Sequence, residues 1–438
     1  MAFQQGLSGL NAASKTMETI GNNVANAGTV GFKKSQAQFA DVYASSLIGS
    51  GASPIGIGTK LARVSQQFTQ ANITGTNNPL DIAINGDGFF VMKEAGGTGG
   101  ITYTRNGQFQ LNKLGQIENA SGAVLTGYPA VNGVVSNGAP APLVISNTAL
   151  APKATTKYDV NLNLDSGKAI IAAAFDPADP TTYNNQTSVG VYDSLGNSHV
   201  LSTFYVNRGP TVPAPVPPTG NFWDVYATVD GTPVNLADLS GPPATLAAAN
   251  APVAGFGANN GIKIPFSTGG LPMAAIPPVT ATLNLTNGAT TPQTVDINFS
   301  GTTQYALDFG VRDQTQDGYT AGNLVSFNMS PDGQIIGSYT NGQTDVLGQV
   351  ALARFANPNG LLAQGDNAWV ETAVSGPPVV ATAGSSGLGA VQSSAVEESN
   401  VDLTAELVAM ITAQRIYQAN AQTIKTEDSI MQTLVNLR

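Results

Sequence analysis

The sequence predicts a mainly β chain with α-helical termini. One observation is the C-terminal stretch 401–437. Alternate steps of four and three residues from Leu403 give Leu403, Leu407, Met410, Gln414, Tyr417, Ala421, Ile424, Asp428, Met431 and Val435, eight apolar of ten, which is the seam of a long amphipathic helix. A second is the matching, weaker seam at the other end, Phe3, Leu7, Leu10, Ser14, Met17, Gly21 and Val24, five apolar of seven. The third is the middle, where apolar residues recur at every second position in a chain with 49 Gly, 26 Pro and only 11% charged residues, against about 25% charged in an average soluble protein. A chain that begins and ends in complementary coiled-coil halves is built to bring its termini together, or to lay them beside those of neighbours.

The first helix is predicted from about Phe3 to Ala27. It contains Gly6, Gly9 and Gly21, each costing roughly 1 kcal/mol relative to Ala, so it should order mainly when packed. Asn22, Asn23, Asn26, Gly28 and Gly31 end the helical pattern, and residues 30–70, punctuated by Gly56 and Gly58, read as a connector. From residue 72 to about 127 the pattern is strand-like. Phe89, Phe90 and Val91 follow the turn Asn85-Gly86-Asp87-Gly88, and Phe109 and Leu111 lead through Asn112-Lys113-Leu114-Gly115 to Ile117, a hairpin. Half-buried strands are expected at Tyr158, Val160, Leu162 and Leu164, at Trp223, Val225, Ala227 and Val229, at Val295, Ile297 and Phe299, and at Val325, Phe327 and Met329. The Pro/Gly-rich run 209–220 can be neither helix nor central strand. Residues 373–394 are small and polar, a second connector, and Ser399 with Asp402 opens the last helix in the manner of a capping box. That helix would be about 55 Å long, and Gln414 and Asp428 in its seam would fix register at a cost in stability.

At 438 residues the chain can hold two to four domains. A net charge of −10 with 18 basic residues and no basic stripe argues against nucleic acid and anionic membranes as partners. No apolar run approaches the ~18 residues of a membrane span, so membrane insertion is not expected. The first basic residue is Lys15 and no apolar core of signal-peptide length follows, so a cleaved secretory signal is not expected.

Catalytic chemistry is hard to place. Cysteine is absent and His199 is the only histidine, which leaves no multi-histidine or thiolate metal site. His199 reads as a residue flanking the turn Asp193-Ser194-Leu195-Gly196-Asn197. Asp313, Thr315, Asp317 and Gly318 start like a calcium loop, but Leu324 stands where the twelfth-position Glu belongs. Gly56 to Gly58 lacks the third glycine, the strand and the acidic residue of a dinucleotide site. One histidine suffices for a Ser-His-Asp site, yet no nucleophile elbow singles out a serine. No cofactor is expected, and the function reads as mechanical or associative.

The stretch from Asn22 through Asn23, Val24, Ala25, Asn26, Ala27, Gly28, Thr29, Val30 and Gly31 to Phe32 and Lys33 resembles the signature of the bacterial flagellar rod and hook axial proteins. In physical terms the helix stops at an Asn-rich end, Gly31 allows a tight change of direction, and Phe32 anchors the connector while Lys33 stays solvated. Residues 78–90 and Tyr103-Thr104-Arg105-Asn106-Gly107 are similar to the inner β domain of the same family, and 401–437 to its C-terminal helix. Residues 191–204 with 222–226, and 330–333 through 355–358, resemble hook members of that family, although Ala71 stands where relatives often carry Gly.

The resemblance implies discontinuous, nested domains: 1–27 with 401–438 as a terminal coiled coil, 28–71 with 380–400 as connector, 72–147 with 312–379 as an inner β domain, and 148–311 as an outer one. It implies a self-polymerising subunit of a curved hollow tube, a universal joint passing motor torque to the filament. The subunit would be exported outside the cell by the flagellar type III apparatus without a cleaved signal, to meet distal-rod, hook-cap and hook–filament junction proteins. The alternatives are a distal-rod subunit or, from another class, a secreted β-rich adhesin or polysaccharide-acting enzyme using its Gly/Asn/Thr-rich loops.

Overall fold

A computed structural model describes the chain except residues 1, 43–55, 57, 95–98, 147, 211–220, 239–260, 273–275 and 437–438, and the side chains of 2, 238 and 434–436. The Pro/Gly-rich run thus lies outside the described residues beyond Pro210. The described chain forms two compact units. Unit 1 comprises 1–147, 324–338 and 344–438, and unit 2 comprises 148–323 and 339–343. Strands dominate both, and a helix stands at each end of the chain.

In unit 2, ten strands form one sheet, whose main path runs Asn185–Tyr192, Ser198–Pro210, Asn221–Val229, Thr232–Asp238, Val279–Leu283, Gln293–Asn298, Lys157–Asp165 and Thr303–Tyr305. Period two is legible where one face is covered: Tyr158, Val160, Leu162 and Leu164 are fully buried, as are Val295 and Ile297. Asn221–Val229 departs from the half-buried expectation, because all its residues after Asn221 are buried. Trp223, Val225, Ala227 and Val229 face the main core, while Tyr226 on the opposite face stacks on Phe175 at 4.4 Å beside Phe204. A strand covered on both faces loses its alternation.

Unit 1 carries a thirteen-stranded sheet with the central order Leu324–Met329, Gln334–Tyr339, Thr344–Arg354, Val124–Val131, Phe89–Lys93, Ile101–Thr104, Ala368–Val370 and Leu362–Gly365. The expected hairpin forms: Phe109–Leu111 pairs antiparallel with Ile117–Asn119, and Gly115 takes the left-handed φ of +74° its turn requires. Val325 is a correction, since it is exposed rather than half-buried. The first connector contains structure that its composition concealed, an antiparallel ribbon of β1 (Ser35–Val42) and β2 (Gly58–Gln66). The second holds Ala390–Ser393, paired with Ile82–Asn85, and is followed by Ala395–Glu397, paired with Ile73–Gly75.

The two helices, α1 (Ala2–Ala25) and α2 (Leu403–Asn436), pack on each other within unit 1. Asp402 caps α2, its Oδ1 accepting from the Thr404 and Ala405 N–H groups at 2.9 and 3.1 Å. As α1 runs forward from Gly6 through Gly9 to Asn23, its neighbours run backward from Ile424 through Asn420 to Glu406, so the pair is antiparallel. A Cβ on Gly6 would meet Ile424 at 3.1 Å, and one on Gly9 would meet Asn420 at 2.6 Å. Two of the three glycines that weaken the isolated helix therefore allow the helices to approach. Gly21 meets nothing within 4 Å.

Candidate functional site

The sequence singled out two features, the terminal seams and the Asn-rich motif, and unit 1 contains both. The seam residues divide. Ile424 packs at Gly6, and Met410, Leu10, Met17 and Val24 are half-buried. Phe3, Leu7, Leu403, Leu407, Tyr417 and Met431 are exposed, together with Val408, Ile411, Ile416 and Ile430, which the seam count passed over. Val435 lies in α2, but its side chain is outside the described set. Within the chain, α1 is closed by Gly6, Gly9, Ala13, Ile20 and Asn23, a row beside the apolar one, and α2 by Glu406, Ala413, Asn420 and Ile424. The pair thus keeps an apolar face that stays exposed among the described residues. Gln414 and Asp428 are exposed as well, with Asp428 accepting from Gln432 at 3.0 Å.

The motif builds a junction between the helices and the strands. Asn23, buried at the end of α1, donates to the Ser35 carbonyl at 2.8 Å and accepts from the Ser35 N–H at 2.9 Å, and its amide also reaches Glu406 at 3.1 Å. One side chain therefore ties α1 to the start of β1 and to the first turn of α2. Asn22 and Asn26 bond to one another within the last turn instead. Gly31 has φ +72°, and a Cβ there would lie 2.6 Å from the Asn106 backbone nitrogen, so the turn admits no side chain without strain. Phe32 is buried, as an anchor should be.

Lys33 is the correction. The motif's sequence implies a solvated lysine, whereas the Lys33 ammonium is fully buried and donates to Glu397 Oε1 at 2.6 Å and to the Thr69 carbonyl at 2.9 Å. Arg105 approaches the other carboxylate oxygen at 3.2 Å and donates to the Gly86 carbonyl at 2.8 Å. Glu397 also accepts from the Ala71 N–H at 2.9 Å. Burial pushes both the Lys33 ammonium and the Arg105 guanidinium below their ordinary values, and the Glu397 carboxylate opposes that shift in each. Around this core, Lys34 pairs with Glu406 at 2.5 Å, and Asn400 accepts from the Lys34 N–H and donates to the Gln67 carbonyl.

Arg105, Glu397, Asn400 and Glu406 escaped the sequence reading as members of one site. The available signal was their charge or amide character in a chain poor in charge, and separations of 292 and 364 residues hid the pairing. His199 lies where expected, beside its turn in unit 2. Among the described residues no cluster of three or more His, Cys, Asp or Glu could hold a metal ion, and no helix is long and apolar enough to cross a membrane.

Comparison with known proteins gives this arrangement a context. In chain order, family models match as Flagella basal body rod protein over residues 3–33, Flagellar hook protein FlgE/F/G D1 domain over 83–162, Flagellar basal body protein FlaE D2 domain over 161–319, and Flagellar basal body rod FlgEFG protein C-terminal over 392–437. Helical ends around β units, with those matches, define an axial protein of the bacterial flagellum. The flagellar hook protein FlgE of Escherichia coli K12 is 40% identical over 443 residues, covering all of both chains. That of Borreliella burgdorferi is 31% identical over 466 residues, covering 100% of this chain and 99% of its own. The chain belongs to the flagellar hook protein FlgE family. The crystal structure of Helicobacter pylori flagellar hook protein FlgE2 superposes with a TM-score of 0.51 at 13% identity, over 74% of this chain and all of that one, a likeness of fold.

Proposed function

We propose that the chain is a non-catalytic structural subunit that polymerises with copies of itself into a curved hollow tube, the hook, which bends while passing motor torque to the filament. The observation that carries the reading is the uncovered apolar face of the helix pair, with Leu403, Leu407, Val408, Ile411, Ile416, Ile430 and Met431 on α2 and Phe3 and Leu7 on α1. Exposed apolar rows of this extent mark association surfaces, and knobs-into-holes contacts between copies would resist torsion along the tube wall. The buried junction would pass load from the helices into the strands of unit 1, since Asn23 bonds to Glu406 and Lys33 to Glu397 across chain segments far apart in sequence.

The four-part division of the chain belongs to the same proposal. So do the distal-rod, cap and hook–filament junction partners, type III export, and delivery outside the cell without signal cleavage.

The test is electron microscopy after salt-induced polymerisation of the full chain and of a Leu403→Asp, Leu407→Asp variant. Both side chains are exposed, so the variant should stay folded by circular dichroism, at a cost within about 0.5 kcal/mol per site. Curved hollow tubes from the parent and none from the folded variant are expected. Straight tubes from the parent would favour the rod-like alternative, and tubes from both would remove the helix face from assembly.

A further inference from the structure

The junction and the helix face leave unused a polar cluster in unit 2, built around the sole histidine. His199 is the second residue of Ser198–Pro210 and follows the turn 193–197. Its ring has carboxylates on two sides. Nδ1 lies 2.6 Å from Asp230 Oδ2 and Nε2 lies 3.3 Å from Asp193 Oδ2. Asp230 occupies the turn between Asn221–Val229 and Thr232–Asp238 at φ +49°, and its other oxygen accepts from the Val200 N–H at 2.8 Å. Asp193 is fully buried and is held by the Leu195 and Asn197 N–H groups and by the Asn197 amide. A third element, the loop after Val279–Leu283, brings in the neutral Asn287. Its Nδ2 donates to Asp193 Oδ2 at 2.6 Å and also stands 3.5 Å from His199 Nε2.

Only an imidazolium donates from both nitrogens, so the two carboxylate contacts coexist only while the ring is charged. When the ring is neutral, the 2.6 Å contact keeps the proton on Nδ1, and the lone pair of Nε2 then faces an oxygen that also carries lone pairs. Among the described residues, the donor within reach of Nε2 is the Asn287 amide, at 3.5 Å. The same nitrogen thus has an acceptor on one side and a donor on the other, and the proton decides between them. A cavity of about 240 Å³, lined by His199, Asp230, Thr232, Asn284 and Leu285 among others, borders the ring. Among the described residues, Asp193 and Asp230 are the charged groups that face it, and the third packed element contributes the neutral Asn287.

We propose that His199 is a proton-operated staple. Charged, it ties the turn 193–197 to the turn at Asp230; neutral, it releases Asp193 and turns to the Asn287 loop. Three surface connections of unit 2 therefore change how they are joined as the pH of the surrounding medium changes. Burial alone would lower the imidazole's pKa, but hydrogen bonds and charge from Asp230 and Asp193 outweigh it and the net direction is upward. A group whose pKa is raised in the folded state contributes stability that is complete below its unfolded value of about 6.5 and is lost as pH rises through the folded value.

Because the chain has one histidine, its ring proton signal needs no assignment, and the test is an NMR titration of the full chain. The expected midpoint lies above 6.5, and Asp230→Asn should lower it by about 1 unit. Asparagine preserves the acceptor for Val200 and tolerates the positive φ. A midpoint at or below the ordinary histidine value, or one indifferent to Asp230→Asn, overturns the staple. Should that variant not fold, the parent midpoint decides alone. As a second readout, the unfolding temperature of unit 2 should fall by about 2–4 °C more between pH 6 and pH 9 in the parent than in His199→Gln. Equal falls would likewise overturn it.

Discussion

The core of unit 2 and the motif junction of unit 1 join segments distant in sequence by opposite means. The core is apolar: Tyr158, Val160, Leu162, Trp223, Val225 and Ile297 are each at most 1% exposed and pack side by side. The junction is also buried, but it holds Lys33 and Arg105 on the Glu397 carboxylate and, beside them, Asn23 bonded to the Glu406 carboxylate. An apolar core is non-directional, and substitutions of similar volume are absorbed. A buried polar junction is directional, since each donor must find its acceptor or bear the cost of desolvation. The difference shows what each is suited for. The core stabilises unit 2, while the junction sets how α1, β1 and α2 meet.

The largest expected effect breaks the junction. Glu397→Gln leaves Lys33 and Arg105 buried without their counter-charge, and unit 1 should lose about 3–5 kcal/mol. The two tryptophans fall one in each unit, Trp369 and Trp223, so a chain labelled with 5-fluorotryptophan gives a separate ¹⁹F signal for each during urea unfolding. The Trp369 signal should move to lower urea and the Trp223 signal should stay. Replacing the whole cluster, with Lys33→Met, Arg105→Leu and Glu397→Leu together, should recover more than half of that loss, because no charge is left stranded. If the triple variant is no better than Glu397→Gln, shape rather than charge governs the junction and the contrast with the core fails.

Leu162→Ala is the converse change, with a slightly smaller effect. Leu162 is fully buried in the unit 2 core, and its truncation should cost about 2–4 kcal/mol through lost burial and the cavity left behind. Here the Trp223 signal should shift and the Trp369 signal should not. No second substitution of charge could rescue it, since none of the cost is electrostatic.

The same contrast explains what could be read from the sequence. Strands with one covered face, such as Lys157–Asp165, announce themselves by period two, and α2 by its seam and its Asp402 cap. Asn221–Val229 was legible as a strand but not as one buried on both sides, because the cover on its second face comes from Phe175 and Phe204, outside any local window. β1 and β2 do not stand out in the sequence because their burial is partial, leaving a weak alternation. Lys33 was misread for a different reason. A lysine beside a phenylalanine in a loop looks solvated until Glu397, 364 residues later, is placed on it. The motif itself was visible, but its physical meaning lay in partners that only the fold supplies.

The smallest effect tests the helix pair that meets at the junction. Gly6 and Gly9 face α2 closely, but Gly21 has open space around its missing Cβ and is a helix residue without a left-handed φ. Within one chain Gly21→Ala therefore removes a propensity cost and nothing else, and should stabilise α1 by about 0.5–1 kcal/mol. Amide hydrogen exchange across residues 2–25 of the dilute monomer would read this as slower exchange. The polymer sharpens the result. If assembly is unchanged, the open space at Gly21 is open in the tube too, and the uncovered row at Phe3 and Leu7 carries the α1 contribution to contacts between copies. If the monomer gains protection while tubes fail to form, a neighbouring copy approaches the helix backbone at Gly21, much as α2 approaches it at Gly6 and Gly9, and the assembly surface extends to the junction end of α1.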